Sequence, residues 1–156
     1  MSALIEHPQP TEVMEFVNGL LGLAVTESKE SGSPANSVAE YVNANGDAVG
    51  YVTVDLAGGC RLGAALTQIP AGRVDEAIGE GAIPDSLAEN LDEVFNICVN
   101  LIHSANEERV VLGRSYHGDS ASDAIATVSA VDDAEKAQYV IDVARYGACT
   151  LTIARC

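Results

Sequence analysis

The chain has 156 residues, of which 47% are hydrophobic and 20% charged, a balance that fits one globular domain with its own core and excludes an intrinsically disordered chain. The formal net charge is −15, with two lysines, Lys29 and Lys136. That surface repels phosphate backbones and anionic headgroups, so neither a nucleic acid nor a membrane is expected as a partner.

Met1 to Pro10 has neither a basic start nor a long apolar run, and reads as a loosely ordered tail rather than a secretory signal. Thr11–Gly22 reads as a helix, with Val13, Phe16, Val17, Leu20 and Leu21 on one face, Thr11 as N-cap and Gly22 as its stop. Leu23–Thr26 follows as a short strand and Glu27–Asn36 as a polar loop. Strands are expected over Val38–Asn43 and Ala48–Leu56, joined at Asn45-Gly46 by a type I′ turn with positive φ at both positions. Gly58–Ile69 reads as a helix ended by Pro70. Ala71–Ile83 is less regular, with one short helical piece.

Pro84 opens the longest expected helix, Asp85–Ala105. Its apolar stripe is Leu87, Leu91, Val94, Cys98, Leu101, Ile102 and Ala105. Strands are expected at Arg109–Ser115, Ala124–Val131, Gln138–Ala144 and Ala148–Ala154, with a hairpin turn at Tyr146-Gly147. The order predicts a single α+β domain spanning residues 1–156, with a mainly antiparallel sheet covered by two long helices. The four cysteines form no C-x-x-C pair and mostly sit in apolar patterns, which fits a reducing, cytoplasmic setting.

The chemistry concentrates on the long helix. At 100° per residue, Glu89, Glu93, Asn96, Asn100 and His103 form one polar stripe opposite the leucines. A carboxylate can pair with a cation on a partner. A carboxamide one turn away both donates and accepts, and so can hold a water in a fixed orientation, much of what phosphoryl hydrolysis asks of a protein. The bland alternative is a solvated helix face. Glu-x-x-Asn is a weak motif, expected roughly once by chance in such a composition. It occurs three times, at Glu15/Asn18, Glu40/Asn43 and Glu93/Asn96. The Glu40 copy lies in a strand, where its two ends face opposite ways.

Other constellations point elsewhere. His103 lacks the Glu-x-x-His partner that a di-iron bundle needs. Ser115-Tyr116-His117-Gly118-Asp119-Ser120 contains catalytic residue types without a nucleophile elbow, and reads as a turn. Gly58-Gly59 lacks the rest of a phosphate loop.

The helix end Asn18-Gly19-Leu20-Leu21-Gly22-Leu23-Ala24-Val25, the strand Gly50-Tyr51-Val52-Thr53-Val54, the alanine-rich Leu62–Leu66, and the helix Leu87-Ala88-Glu89-Asn90-Leu91-Asp92-Glu93-Val94-Phe95-Asn96-Ile97 follow one another in a distinctive order. With them, the chain from Glu12 to Cys156 resembles the CheX-like chemotaxis phosphatases of the CheC/CheX/FliY family. The family's active helix carries an acidic residue or serine, then Glu four positions on, then Asn three further. Glu89, Glu93 and Asn96 match these.

The resemblance implies a hydrolase that removes the phosphoryl group from the aspartyl-phosphate of a CheY-like response regulator in two-component signalling. Asn96 would orient the attacking water and Glu93 would contact the receiver's lysine, with Glu89 and Asn100 as partner-binding residues. Mg²⁺ would belong to the partner receiver, leaving this protein with no cofactor or metal of its own. A homodimer is also implied. Glu15 and Asn18, with Thr11 leading, would be the counterpart of the second site of CheC-type proteins. The chain departs from the family where Phe95 replaces a small residue and where Ile97-Cys98-Val99-Asn100 follow the asparagine. That departure supports an alternative, a catalytically silent relative that docks a signalling or flagellar partner.

Overall fold

The computed structural model describes residues 5–104 and 109–155. In chain order the elements are β1 (Ile5–Glu6), α1 (Pro10–Leu21), β2 (Val25–Glu27), β3 (Ala35–Asn43), β4 (Ala48–Asp55), α2 (Leu56–Leu66), α3 (Ala71–Glu80), α4 (Asp85–Ile97), β5 (His103–Ser104), β6 (Val110–His117), α5 (Ser122–Ser129), β7 (Lys136–Val143) and β8 (Gly147–Arg155). A 3-10 turn, Cys98–Leu101, continues α4. Six strands form an antiparallel sheet in the order β2-β7-β8-β4-β3-β6, and β1 pairs separately with β5. The fold is thus the expected α+β class.

Alternation along the strands sends residues to two faces. Ala39, Tyr41, Val52, Val54, Tyr139, Ile141, Leu151 and Ile153 point to the main core. There they meet Val13 and Val17 of α1, Leu62 of α2, and Leu91, Val94 and Phe95 of α4. On the opposite face Val38, Tyr51 and Ala154 pack against Ala121 and Val128. The helix α3 lies outside α2, with Val74 and Ala77 against Cys60, Ala64 and Leu87.

Two contacts set the depth of α4. A Cβ on Gly63 of α2 would meet the Leu87 carbonyl oxygen at 2.6 Å, so only glycine permits this approach. Asn90 then donates its side-chain amide to the Gly63 carbonyl at 2.9 Å and to Thr67 Oγ1 at 3.0 Å. Asp55 caps α2, accepting from Gly58 N and Thr150 N at 3.0 Å each, and so ties the helix start to β8.

Several expectations change. Gln9, not Thr11, is the N-cap of α1, because Pro10 takes the first helical position, where its missing N–H costs nothing. The tail expected to be loose contains a paired segment, Ile5–Glu6. In the β3–β4 turn Gly46 has φ 82°, while Asn45 is not among the positive-φ residues. Gly46 N donates to Asn43 O, and the Asn43 side chain accepts from Asn45 N and Asp47 N, which makes a three-residue loop instead of a type I′ turn. The last hairpin turns at Ala144-Arg145, with Arg145 at φ 76° and Gly147 opening β8.

Two larger revisions concern helices. Ala124–Val131, expected as a strand, lies mostly in α5, since Ala121, Ala124, Ile125 and Val128 follow helical spacing onto the sheet. The long helix expected to Ala105 stops as an α-helix at Ile97, about 20 Å from its start at 1.5 Å per residue. There the Tyr41 hydroxyl donates to the Phe95 carbonyl at 2.6 Å, and the chain tightens into 3-10 geometry before β5 pairs with β1. Ala105 falls outside the described residues.

Candidate functional site

Pro84 precedes α4 and Asp85 occupies its first turn, where a carboxylate suits the positive end of the helix dipole. One side of the helix is apolar: Leu87, Leu91, Val94 and Phe95 are buried. The opposite side is acidic and open. Glu89, Glu93 and Asn96 are all exposed, spaced by four and then three residues along one helical face.

No hydrogen bond or ion pair engages Glu89, Glu93, Asn96 or Asn100 among the described residues. Asn100 is also exposed but belongs to the 3-10 turn, and His103 belongs to β5, so neither continues the α-helical stripe. The expected five-residue stripe is therefore an exposed three-residue patch with Asn100 at its margin. Phe95 does not obstruct it, because its side chain is buried beneath the helix at 1% exposure.

The other Glu-x-x-Asn copy sits on α1. Thr11, Glu15 and Asn18 are exposed and, with Met14 and Val25, line a hollow of about 250 Å³. Here the asparagine is occupied. Its amide donates to the Leu23 carbonyl at 2.6 Å, closing the helix end beside the left-handed Gly22.

A further polar group lies beside the α4 face. His117 Nε2 stands 2.7 Å from Asp92 Oδ1, which also accepts from Ser115 Oγ at 2.6 Å. His117 Nδ1 stands 2.8 Å from Ser37 Oγ, which is 1% exposed. The rings of Phe95 and His117 stack at 6.2 Å between centroids, 14° apart in plane. The sequence pattern predicts a turn at His117. It is the last residue of β6, and the turn begins at Gly118. The residue types around Ser115–His117 were the one available signal, since Asp92 is 25 positions and Ser37 80 positions away from His117.

Among the described residues, Cys60, Cys98 and Cys149 are buried and free. Burial pushes the Cys98 thiol up to about 12 and Cys60 up to about 11, so neither offers a ready thiolate. Among the described residues, no group of three or more His, Cys, Asp or Glu side chains is arranged to hold a metal, and no helix is long and apolar enough to cross a membrane.

No protein-family model matches the chain, and no curated protein sequence matches it. Among solved structures, the fold is similar to the FliM middle domain from H. pylori, with a TM-score of 0.53 and 10% identity over 94% of this chain and 84% of that one. It is also similar to a chain of the FliM-SpeE complex from H. pylori, with a TM-score of 0.59 and 9% identity over 94% of this chain and 80% of the other. A chain of the CheX-CheY-BeF3-Mg²⁺ complex from Borrelia burgdorferi aligns over 97% of this chain and 98% of its own, at 8% identity and a TM-score of 0.47. At such identities the likeness to the two FliM chains shows the fold alone.

Proposed function

We propose that the protein is a chemotaxis-type phosphatase that hydrolyses the aspartyl-phosphate of a CheY-like response regulator through the exposed face of α4. The observation that carries this reading is the availability of Glu93 and Asn96. Both are exposed, and neither side chain is engaged by hydrogen bonds or ion pairs among the described residues. Their helix is held from behind by packing and by the Asn90 bonds to α2.

The division of labour follows from the side chains. The Asn96 carboxamide accepts a hydrogen bond from a water and donates one toward a phosphoryl oxygen, aligning the water with phosphorus. The Glu93 carboxylate, one turn earlier, pairs with a lysine of the receiver. Glu89 and Asn100 extend the contact. Mg²⁺ would sit in the receiver, which bears the phosphoryl group, so this chain supplies geometry and hydrogen bonds.

The test is the lifetime of a phosphorylated receiver from the same genome, with Mg²⁺, with and without the protein. A shortened lifetime that Asn96→Ala restores supports the reading. A lifetime shortened equally by Asn96→Ala rejects the site. A second reading is a docking protein for a signalling or flagellar partner without turnover. The similarity to a FliM middle domain and to a chain of a FliM-SpeE complex favours it. Binding of a phosphorylated receiver without faster phosphate loss would select it.

A further inference from the structure

Apolar contacts are non-directional, so the leucine stripe of α4 fixes its depth better than its roll. Roll matters, because one residue is 100° of helix and the candidate face is one asparagine and one glutamate wide. Hydrogen bonds are directional, and the group beside the face is built from them.

Asp92 lies one turn before Asn96, so these two side chains are neighbours on the helix surface, and it immediately precedes Glu93, whose side chain lies 100° further round. Its Oδ1 is held from β6 by both Ser115 Oγ and His117 Nε2. The His117 ring is held in turn by Ser37 Oγ from β3 and by stacking on Phe95, which immediately precedes Asn96. The Phe95 carbonyl is fixed by the Tyr41 hydroxyl, also from β3. The residues just before Glu93 and just before Asn96 are thus both tied to two strands of the sheet. A carboxylate accepts only, so the tautomer with its proton on Nε2 is the one that suits Asp92, with Nδ1 facing the Ser37 hydroxyl.

We propose that His117 is a positioning residue of the candidate face: through Asp92, and with Phe95 stacked on its ring, it fixes the roll of α4 so that Glu93 and Asn96 present a single geometry to the partner. Phe95, the departure from the family pattern, becomes the stacking partner that this device requires. The inference rests on the phosphatase reading for its consequence, but not for its structural content.

The test contrasts two replacements that both remove the ring. In His117→Gln the amide nitrogen takes the place of Nε2 and still donates to Asp92. In His117→Asn the side chain reaches only the Nδ1 position and loses Asp92. Both are assayed against the phosphorylated receiver for kcat and KM, and free protein is studied by ¹⁵N relaxation at Glu93 and Asn96. The Asn variant is expected to lose roughly tenfold in kcat, with KM within about twofold, whereas the Gln variant keeps kcat within about threefold. The backbone order parameters of Glu93 and Asn96 are expected to fall from about 0.85 to below about 0.7 in the Asn variant only. Equal kcat in the two variants, or unchanged order at both residues in His117→Asn, overturns the proposal. If wild-type protein fails to shorten the receiver's lifetime, the phosphatase reading falls and the relaxation contrast still decides this one. If His117→Asn does not fold, Asp92→Ala cuts the same contact from the 43% exposed side and is expected to show the same losses. Full order and full kcat in that variant would likewise refute the device.

Discussion

The two helices α1 and α4 carry the same Glu-x-x-Asn spacing on exposed faces, yet their asparagines differ in state. Asn18 spends its amide on the Leu23 carbonyl at the end of its own helix, while Asn96 has no such bond among the described residues. The helix α1 reaches its left-handed Gly22 four residues after Asn18, so carbonyls left without helical partners lie within reach of the side chain. At Asn96 the chain runs on into a 3-10 turn, and the nearby Phe95 carbonyl is already taken by Tyr41. Identical spacing therefore yields a cap in one place and a free functional group in the other. What decides between them is the distance to the helix end and the presence of a competing donor.

The sharpest way to break this comparison is to remove each asparagine in turn and follow the receiver's phosphate. Asn96→Ala is expected to lower the accelerated rate by about a hundredfold, the scale associated with misplacing one reacting group. Asn18→Ala is expected to leave it unchanged. A fall in rate on replacing Asn18 would make α1 a second active helix and end the distinction drawn here.

The next effect separates the supports of the two helices. Gly63 lets α2 and α4 approach closely, and a methyl there meets the Leu87 carbonyl at 2.6 Å. Gly63→Ala is expected to cost about 2 kcal/mol by overpacking and to displace α4 from its seat. At Gly19 of α1 a Cβ meets nothing within 4 Å, so Gly19→Ala is expected to be tolerated or mildly stabilising. Chemical denaturation of the two variants checks the contrast, and equal stabilities would refute it.

The sequence made α1, the β3–β4 hairpin, the β7–β8 hairpin and the α4 start legible, because their periodicity is set by local burial. That Glu89, Glu93 and Asn96 share one exposed helical face was legible for the same reason: the opposite face of their helix is an unbroken apolar stripe. The end of α4 was not, since it is marked by a hydroxyl from Tyr41, 54 residues earlier. The segment Ala124–Val131, expected as a strand, holds the β-branched Ile125, Thr127 and Val128, residue types that favour strands. Burial of Ala121, Ala124, Ile125 and Val128 against Val38 and Tyr51 outweighs that preference. The His117–Asp92 pair joins two elements that touch only after the sheet has closed, so no local pattern announces it.

A pH dependence follows from the thiols under the α2–α4 side of the core. Burial raises Cys98 from its ordinary 9.0 to about 12, and raises Cys149 as well. A raised acid favours the protonated folded state, so this contribution is complete below pH 9 and is lost as pH climbs toward 12. In that window the unfolded chain releases the Cys98 proton while the folded chain keeps it, which costs about 1.4 kcal/mol per pH unit. Alkaline unfolding is therefore expected to begin above pH 9 and to shift upward in Cys98→Ala relative to that variant's own stability at pH 7. A parallel loss in wild type and variant across this window would remove Cys98 from the account.

The smallest effect tests the cap itself. If the Asn18 amide is committed to the Leu23 carbonyl, removing it leaves that carbonyl to water and weakens the last turn of α1 by about 1 kcal/mol. The loss should be local, because Val13 and Val17 still anchor the helix to the core. Hydrogen exchange in Asn18→Ala is expected to quicken at Gly22, whose N–H bonds to Asn18 O, and to stay unchanged along α4. Asn96→Ala is expected to move neither stability nor exchange beyond a few tenths of a kcal/mol, since Asn96 caps nothing among the described residues. The two substitutions should thus be mirror images, one costing stability without activity and the other activity without stability. If both behave alike, the distinction between a capping and a free asparagine fails for this fold.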